Sequence, residues 1–236
     1  MEPKVLYILF LSLMIPGSFS VKFTFKNNCP YTVWPGILTN PDKSLFPTSG
    51  FELATGASQS SDAPANWGGR FWARTGCDGH QFTCTTGNCG PTLQCNGAGG
   101  TPPTTLAEFT LNGDGGKDFY DVSLVDGFNL PVSITPEGAG CSSTTCSADV
   151  NSICPPDLSV KGSDGRIIAC KSACLAFDQP QYCCKGEFAS PDKCQPTKYS
   201  TIFKNACPQA YSYAFDDKTS TFTCPTGANY VIAFCP

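Results

Sequence analysis

Apolar and polar positions alternate through much of the chain beyond its first twenty residues. Val21, Phe23 and Phe25 alternate with Lys22, Thr24 and Lys26, a two-residue period that predicts a half-buried β-strand. Shorter β-rich pieces follow at Thr32–Trp34, Arg70–Arg74, Phe119–Val125, Val132–Thr135, Tyr211–Ala214, Thr221–Thr223 and Tyr230–Phe234. Glycine (23) and proline (20) punctuate the intervals, as expected of a β-sandwich or barrel. One stretch carries the helical period instead. Cys170, Ala173, Cys174 and Phe177 fall at i, i+3, i+4 and i+7, with Ser163-Asp164 to cap the start and Pro180 to mark the end.

The first twenty residues obey neither period. Lys4 precedes an almost unbroken apolar run from Val5 to Ile15, broken by Pro16 and Gly17. The run is too short for a bilayer, which needs about 20 residues. With small residues at Ser18 and Ser20, residues Met1–Ser20 read as a signal peptide cleaved after Ser20. The sixteen cysteines agree with export. An even number in a secreted chain can pair as eight disulfides, and paired sulfurs are neither nucleophiles nor metal ligands. The expected location is the extracellular space.

Cysteine density also divides the chain. Four cysteines fall in Cys77–Cys95 and nine in Cys141–Cys207, whereas none lies inside Cys29–Cys77 or Cys95–Cys141. The expected organisation is a β core built from residues 21–75, 104–146 and 207–236. A small disulfide loop at 76–103 and a disulfide-rich lobe with a helix at 147–206 are its satellites. A net charge of −4 and a pI near 4.9 argue against nucleic acid and anionic membranes as partners. No Asn-x-Ser/Thr site is present, so N-glycosylation is not expected. No heptad is readable, and a monomer is expected.

The candidate chemistry is narrow. The single histidine, His80, sits in the short Cys77–Cys84 interval and reads as an exposed loop residue. A Ser-His-Asp triad or a His-rich zinc site has almost nothing to build on. No phosphate-cradling glycine loop occurs either, and no cofactor or metal is expected. Carboxylates remain. Glycoside hydrolysis needs only two, about 5–5.5 Å apart for retention or about 6.5–9.5 Å for inversion. Glu108, Asp121 and Asp126 lie on β-rich segments, and Asp216 and Asp217 follow Tyr211–Ala214. Asp121 and Asp126 are five apart, so a straight strand would put them on opposite faces. A bulge or a bend at Gly127 must re-aim one of them. Phe119, Tyr120 and Phe128 flank these acids as a stacking wall for sugar rings, or else belong to the sandwich core.

Longer motifs narrow the reading further. They are Asn28-Cys29-Pro30-Tyr31-Thr32-Val33-Trp34-Pro35-Gly36, Gly69-Arg70-Phe71-Trp72-Ala73-Arg74-Thr75-Gly76-Cys77 and Leu106-Ala107-Glu108-Phe109. Further along come Phe119-Tyr120-Asp121-Val122-Ser123-Leu124-Val125-Asp126-Gly127-Phe128-Asn129, the pair Cys183-Cys184, Cys207-Pro208-Gln209-Ala210-Tyr211-Ser212-Tyr213, and the closing Phe234-Cys235-Pro236. Through them the whole mature chain resembles the plant thaumatin-like proteins, pathogenesis-related family 5.

The resemblance implies an all-β fold: a flattened antiparallel β-sandwich with a helix-bearing disulfide lobe, a small disulfide loop, and a cleft between sandwich and larger lobe. It implies the pairs Cys29–Cys235, Cys77–Cys84, Cys89–Cys95, Cys141–Cys224, Cys146–Cys207, Cys154–Cys170, Cys174–Cys183 and Cys184–Cys194. It also implies an acidic cleft lined by Arg70, Glu108, Asp121, Asp126 and Asp216, with Asp217 adjacent to the last and the choice between them open. Glu108 would be the general acid and Asp126 the base or nucleophile. Arg70, Asp121 and Asp216 would bind and orient sugar. The function implied is antifungal defence through β-1,3-glucan binding, with weak endo-β-1,3-glucanase activity as a further step. Two rivals stay open: a non-enzymatic protein acting on a fungal membrane protein, and a fruit-abundant allergen with no cleft catalysis. Sweet-tasting members are strongly basic, unlike this chain. Vacuolar members often carry a C-terminal propeptide, and the end at Pro236 favours the apoplast. Two departures from the family pattern, Asn88 where an Asp is usual and a short Cys77–Cys84 loop, fall in the small satellite.

Overall fold

The computed structural model describes residues 20–79, 81–138 and 140–236. The expected leader, apart from Ser20, and the exposed position expected for His80 lie outside the described residues. The strands, in chain order, are β1 (Val21–Asn27), β2 (Trp34–Thr39), β3 (Ser58–Ala63), β4 (Gly68–Cys77), β5 (Cys84–Thr86), β6 (Leu106–Thr110) and β7 (Lys117–Ser123). They continue with β8 (Val132–Glu137), β9 (Thr144–Cys146), β10 (Ser159–Lys161), β11 (Ile167–Cys170), β12 (Phe222–Pro225) and β13 (Asn229–Phe234). Four short α-helices accompany them: α1 (Ala173–Phe177), α2 (Pro180–Cys183), α3 (Lys198–Ala206) and α4 (Asp217–Ser220).

Two sheets form the sandwich. One runs β3-β1-β13-β8-β9 and the other β12-β7-β6-β4-β2, with β5 pairing the far end of β4. The alternation of β1 does what its sequence predicts: Phe23 and Phe25 are buried while Lys22 and Lys26 face outward. From the opposite sheet come Phe71, Phe109 and Tyr120. Phe23 meets Phe109 edge-on at 4.8 Å between ring centroids and Phe71 at 5.0 Å. Aromatic edge-to-face packing fills the space between the sheets. Tyr120 and Phe128 are both fully buried in this core, so neither belongs to a sugar-stacking wall. Phe119 is half-buried on the other face of β7. The sandwich departs from pure antiparallel pairing once, where β1 and β13 run parallel. The Cys29–Cys235 disulfide ties the ends of these two strands together.

The outer face of the second sheet is covered at one end by the small disulfide loop. Trp72 donates from Nε1 to the carbonyl of Gly87 at 2.8 Å. Its ring lies so close to Gly36 and Gly100 that a Cβ on either would approach it to 2.4 or 2.5 Å. Arg74, fully buried, donates to the carbonyls of Trp34 (2.9 Å), Pro35 (3.2 Å) and Leu93 (2.8 Å). One guanidinium thus joins loop to sheet, and burial lowers its pKa to about 10. All eight disulfides form in the pairs that the resemblance implies.

The helical expectation is corrected. Cys170 ends β11, and the helix begins only at Ala173, capped by the Ser172 side chain accepting from the Leu175 N–H. Ser163-Asp164 instead belongs to the turn between β10 and β11, which pair as a hairpin. Pro180 opens α2 as its first residue and stops nothing. The longest helix, α3, starts at a reciprocal cap in which Thr197 and Ser200 bond each other's backbone. Tyr211–Ala214 is not a strand: only Tyr211 bridges to Ser123 at the end of β7. Among the described residues no helix is long and apolar enough to cross a membrane.

Candidate functional site

Sheet register assembles the site. Arg70 on β4 is the cross-strand neighbour of Glu108 on β6, and Glu108 is the neighbour of Asp121 on β7. Their strand neighbours Phe71, Ala107, Phe109, Tyr120 and Val122 point into the core, so these three side chains share the outer face. Ser123 follows two residues after Asp121 on that face and hydrogen-bonds Glu108.

Asp126 comes from beyond the strand. β7 ends at Ser123, and the Gly127 N–H bonds the Leu124 carbonyl at 2.9 Å, closing a tight turn over residues 124–127. Gly127 has φ of +87°, and a Cβ there would sit 2.6 Å from the Cys170 carbonyl. The bend resolves the five-residue spacing: Asp126 swings back over the sheet, where its Oδ2 stands 4.0 Å from Arg70 Nη1.

The opposite wall is residues 211–217, not the disulfide lobe itself. Tyr211 is fixed by hydrogen bonds from its N–H to Val122 O (2.9 Å) and from Leu124 N–H to its carbonyl (2.8 Å). Asp216 then closes the loop on itself. Its Oδ2 accepts from Ser212 N–H at 3.0 Å and Ser212 Oγ at 2.9 Å, and pairs with Lys204 Nζ of α3 at 2.9 Å. Asp216 is therefore engaged inside the wall and does not line the groove. Asp217 does line it, with Oδ1 accepting from the Tyr211 hydroxyl at 2.9 Å. That hydroxyl also makes a short contact with Thr221 Oγ1.

The result is an open groove of about 480 Å³. Arg70, Glu108, Phe119, Asp121, Asp126 and Asp217 line it together. Ser123 and Tyr211 are functional neighbours that the sequence reading missed. The two-residue period from Asp121 was the available signal for Ser123; nothing local pointed to Tyr211. Four carboxylates face one guanidinium, and two carboxyls are pushed toward their protonated forms. Burial raises Glu108 most; Asp126 adds to this, while Arg70 and the Ser123 hydrogen bond oppose it. Asp121 rises to about 8, through burial first and then the charges of Glu108 and Asp217. Its Oδ2 is buried with no hydrogen-bond partner among the described residues. Burial and mutual repulsion thus favour a proton on the Glu108–Asp121 pair. Among the described residues no set of His, Cys, Asp and Glu is arranged to hold a metal ion.

This geometry can be set beside known proteins. A family model described as the thaumatin family matches residues 27–236. The chain belongs to the thaumatin family. Within this thaumatin family it is 58% identical over 226 residues to thaumatin-like protein 1 of Pyrus pyrifolia, with 93% of each chain covered. It is 55% identical over 238 residues to pathogenesis-related protein 5 of Arabidopsis thaliana, covering 98% of each. A Prunus avium protein named glucan endo-1,3-beta-glucosidase is 54% identical over 245 aligned positions and is covered in full. Among solved structures, a laminaripentaose-producing β-1,3-glucanase in complex with laminaritetraose superposes with a TM-score of 0.65 at 11% identity. That match spans 92% of this chain and 99% of the other, and it is a likeness of fold. Thaumatin-like and pathogenesis-related 5 proteins are thus its relatives along nearly the whole length.

Proposed function

We propose that this is a secreted, antifungal defence protein of the apoplast whose acidic groove binds β-1,3-glucan and hydrolyses it slowly at internal bonds. The observation that carries this reading is the cross-strand row Arg70–Glu108–Asp121, facing Asp126 and Asp217 across one groove. An open groove admits an internal stretch of polysaccharide. Glu108, raised by burial, keeps a proton to donate to a glycosidic oxygen. Asp126 acts from the turn as base or nucleophile, and Arg70 orients it. Asp121 and Asp217 accept from sugar hydroxyls, and Phe119 offers an apolar edge for a sugar ring. The sandwich regions 21–75, 104–146 and 207–236 then supply both floor and wall of the groove. The lobe at 147–206 braces the wall through Lys204, and the loop at 76–103 caps the sheet beyond Trp72. The even cysteine complement, fully paired, supports export and survival outside the cell.

A curdlan pull-down with reducing-sugar release measured on the same sample tests the reading. Retention on curdlan, with release abolished by Glu108→Gln, is the expected result. Retention without release reduces the function to glucan recognition. No retention removes glucan and leaves electrostatic recognition of a basic membrane protein as the use of the groove.

A further inference from the structure

A second groove, of about 580 Å³, opens between the ends of β2, β4 and β5 and the β10–β11 hairpin. It shares no lining residue with the acidic groove, and its chemistry is different. Its aromatic members are Tyr31 and Trp34. Tyr31 is 45% exposed and is the only aromatic side chain in the exposed class among the described residues. Trp34 is half-buried, whereas Trp67 and Trp72 are both 0% exposed. Thr32, Thr75 and Thr85 contribute hydroxyl-bearing side chains, and Asp164 and Arg166 stand on the hairpin turn.

The backbone at Tyr31 and the Trp34 indole are fixed in advance of any ligand. The Tyr31 carbonyl accepts from the buried Asn27 Nδ2 at 2.9 Å, two residues from the Cys29–Cys235 bridge. Trp34 donates from Nε1 to Glu52 Oε2 at 3.1 Å, and its carbonyl accepts from Arg74 Nε at 2.9 Å. The Trp34 indole therefore has little conformational freedom left to lose on binding. Arg166 Nε pairs with Asp164 Oδ2 at 2.6 Å. Among the described residues the terminal guanidinium nitrogens have no partner, so N–H donors still point outward. The Asp164–Arg166 pair is neutral in itself, and the Glu52 carboxylate beside Trp34 and Asp149 near Tyr31 add further acceptors at the rim.

We propose that this groove is a binding site for a neutral oligosaccharide. Aromatic faces take the apolar faces of sugar rings. Thr85 Oγ1 already donates to the Gly76 carbonyl and Thr75 Oγ1 pairs with Thr86 Oγ1, so the threonine oxygens and Asp164 accept from ring hydroxyls while Arg166 donates to them, and the volume suits a small-ligand site. A proline-rich peptide also suits aromatic grooves, but its proline residues offer no N–H to Asp164, whereas a sugar presents a hydroxyl donor at nearly every ring carbon. The proposal stands whether or not the acidic groove binds glucan. Where both bind, one protein engages a polysaccharide at two places and gains retention by avidity.

Because Trp67 and Trp72 are buried, a sugar-induced change in tryptophan emission or in acrylamide quenching reports on Trp34. The mature protein is titrated with laminarihexaose and, separately, cellohexaose. The expected result is a saturable emission change and reduced acrylamide quenching at millimolar sugar, undiminished in Glu108→Gln. Tyr31→Ala weakens this binding about tenfold. Arg166→Ala, on an exposed turn where folding is not at stake, also weakens it. Trp34→Phe silences the emission change while calorimetry still detects the sugar. No saturable response to either sugar overturns the proposal. So does a response lost in Glu108→Gln yet kept in Tyr31→Ala, which would place the sugar in the acidic groove. A response to a proline-rich peptide alone overturns the ligand class.

Discussion

Replacing Asp121 by Asn should make the protein more stable at neutral and alkaline pH and less competent in the groove. Asp121 is raised from 3.8 to about 8 by burial and by the Glu108 and Asp217 charges. The folded state therefore holds this proton more tightly than the unfolded chain does. Its stabilising contribution is complete below about pH 4 and is lost as pH rises to about 8. Roughly four units at about 1.36 kcal/mol each set an upper bound of roughly 5–6 kcal/mol. Glu108 shares the relief that a proton brings, and groove water screens the charges, so ~2–3 kcal/mol is the expected share of Asp121. The assay is guanidinium unfolding with disulfides intact, followed by circular dichroism at several pH values from 5 to 8, with refolding checked at each. Wild type should lose stability across this window. Asp121→Asn should lose clearly less and should exceed wild type by ~2–3 kcal/mol at pH 8. Parallel pH profiles, or a variant weaker than wild type at pH 8, would refute the claim that burial and the neighbouring carboxylates hold a proton on Asp121.

Three other perturbations separate architecture from site. Arg74→Lys keeps the charge but loses the fork that bonds Trp34, Pro35 and Leu93; it should cost ~2–4 kcal/mol and expose the Cys77–Cys95 loop to protease. Removing the Cys29–Cys235 bridge with a double serine variant frees a separation of 206 residues and should cost about 5 kcal/mol in the chain-entropy model, read as a lower denaturation midpoint. Asp216→Asn breaks the Lys204 pair that closes the wall and should destabilise by ~2 kcal/mol. Asp217→Asn should stay within ~0.5 kcal/mol of wild type while weakening retention on curdlan.

Strands with one face in the core were legible because burial on one side writes a period of two into the chain. β1, β7 and β8 carry it, as does the first half of β13, whereas in β4 Trp72 and Arg74 are buried on the outer face as well. β3 reads Ser-Gln-Ser-Ser-Asp-Ala and is held by pairing with β1, so no periodicity announces it. β6 was visible only as a motif around Glu108, because Leu106 is buried on the outer face against Trp72 and spoils the alternation. α3 escaped notice because its apolar stripe is thin, with only Ser200 and Phe203 buried. Tyr211–Ala214 has the aromatic alternation of a strand, yet Asp216 closes it into a loop.

The same division runs through the site. Composition alone determined that the chain is disulfide-bonded and nearly devoid of histidine, so carboxylates were the only general chemistry left. Local spacing showed that Asp126 needed a bend. Only tertiary structure decided the rest. Arg70, Glu108 and Asp121 are neighbours because register aligns three strands that are distant in sequence, and a one-residue slip would send Glu108 into the core. The choice of Asp217 over Asp216 rests on Lys204, which comes from another element. The raised carboxyls depend on burial by residues far along the chain and on charges from other elements. Short-range patterns report the local period, while register, burial and charge proximity are sums over partners that no stretch of sequence contains.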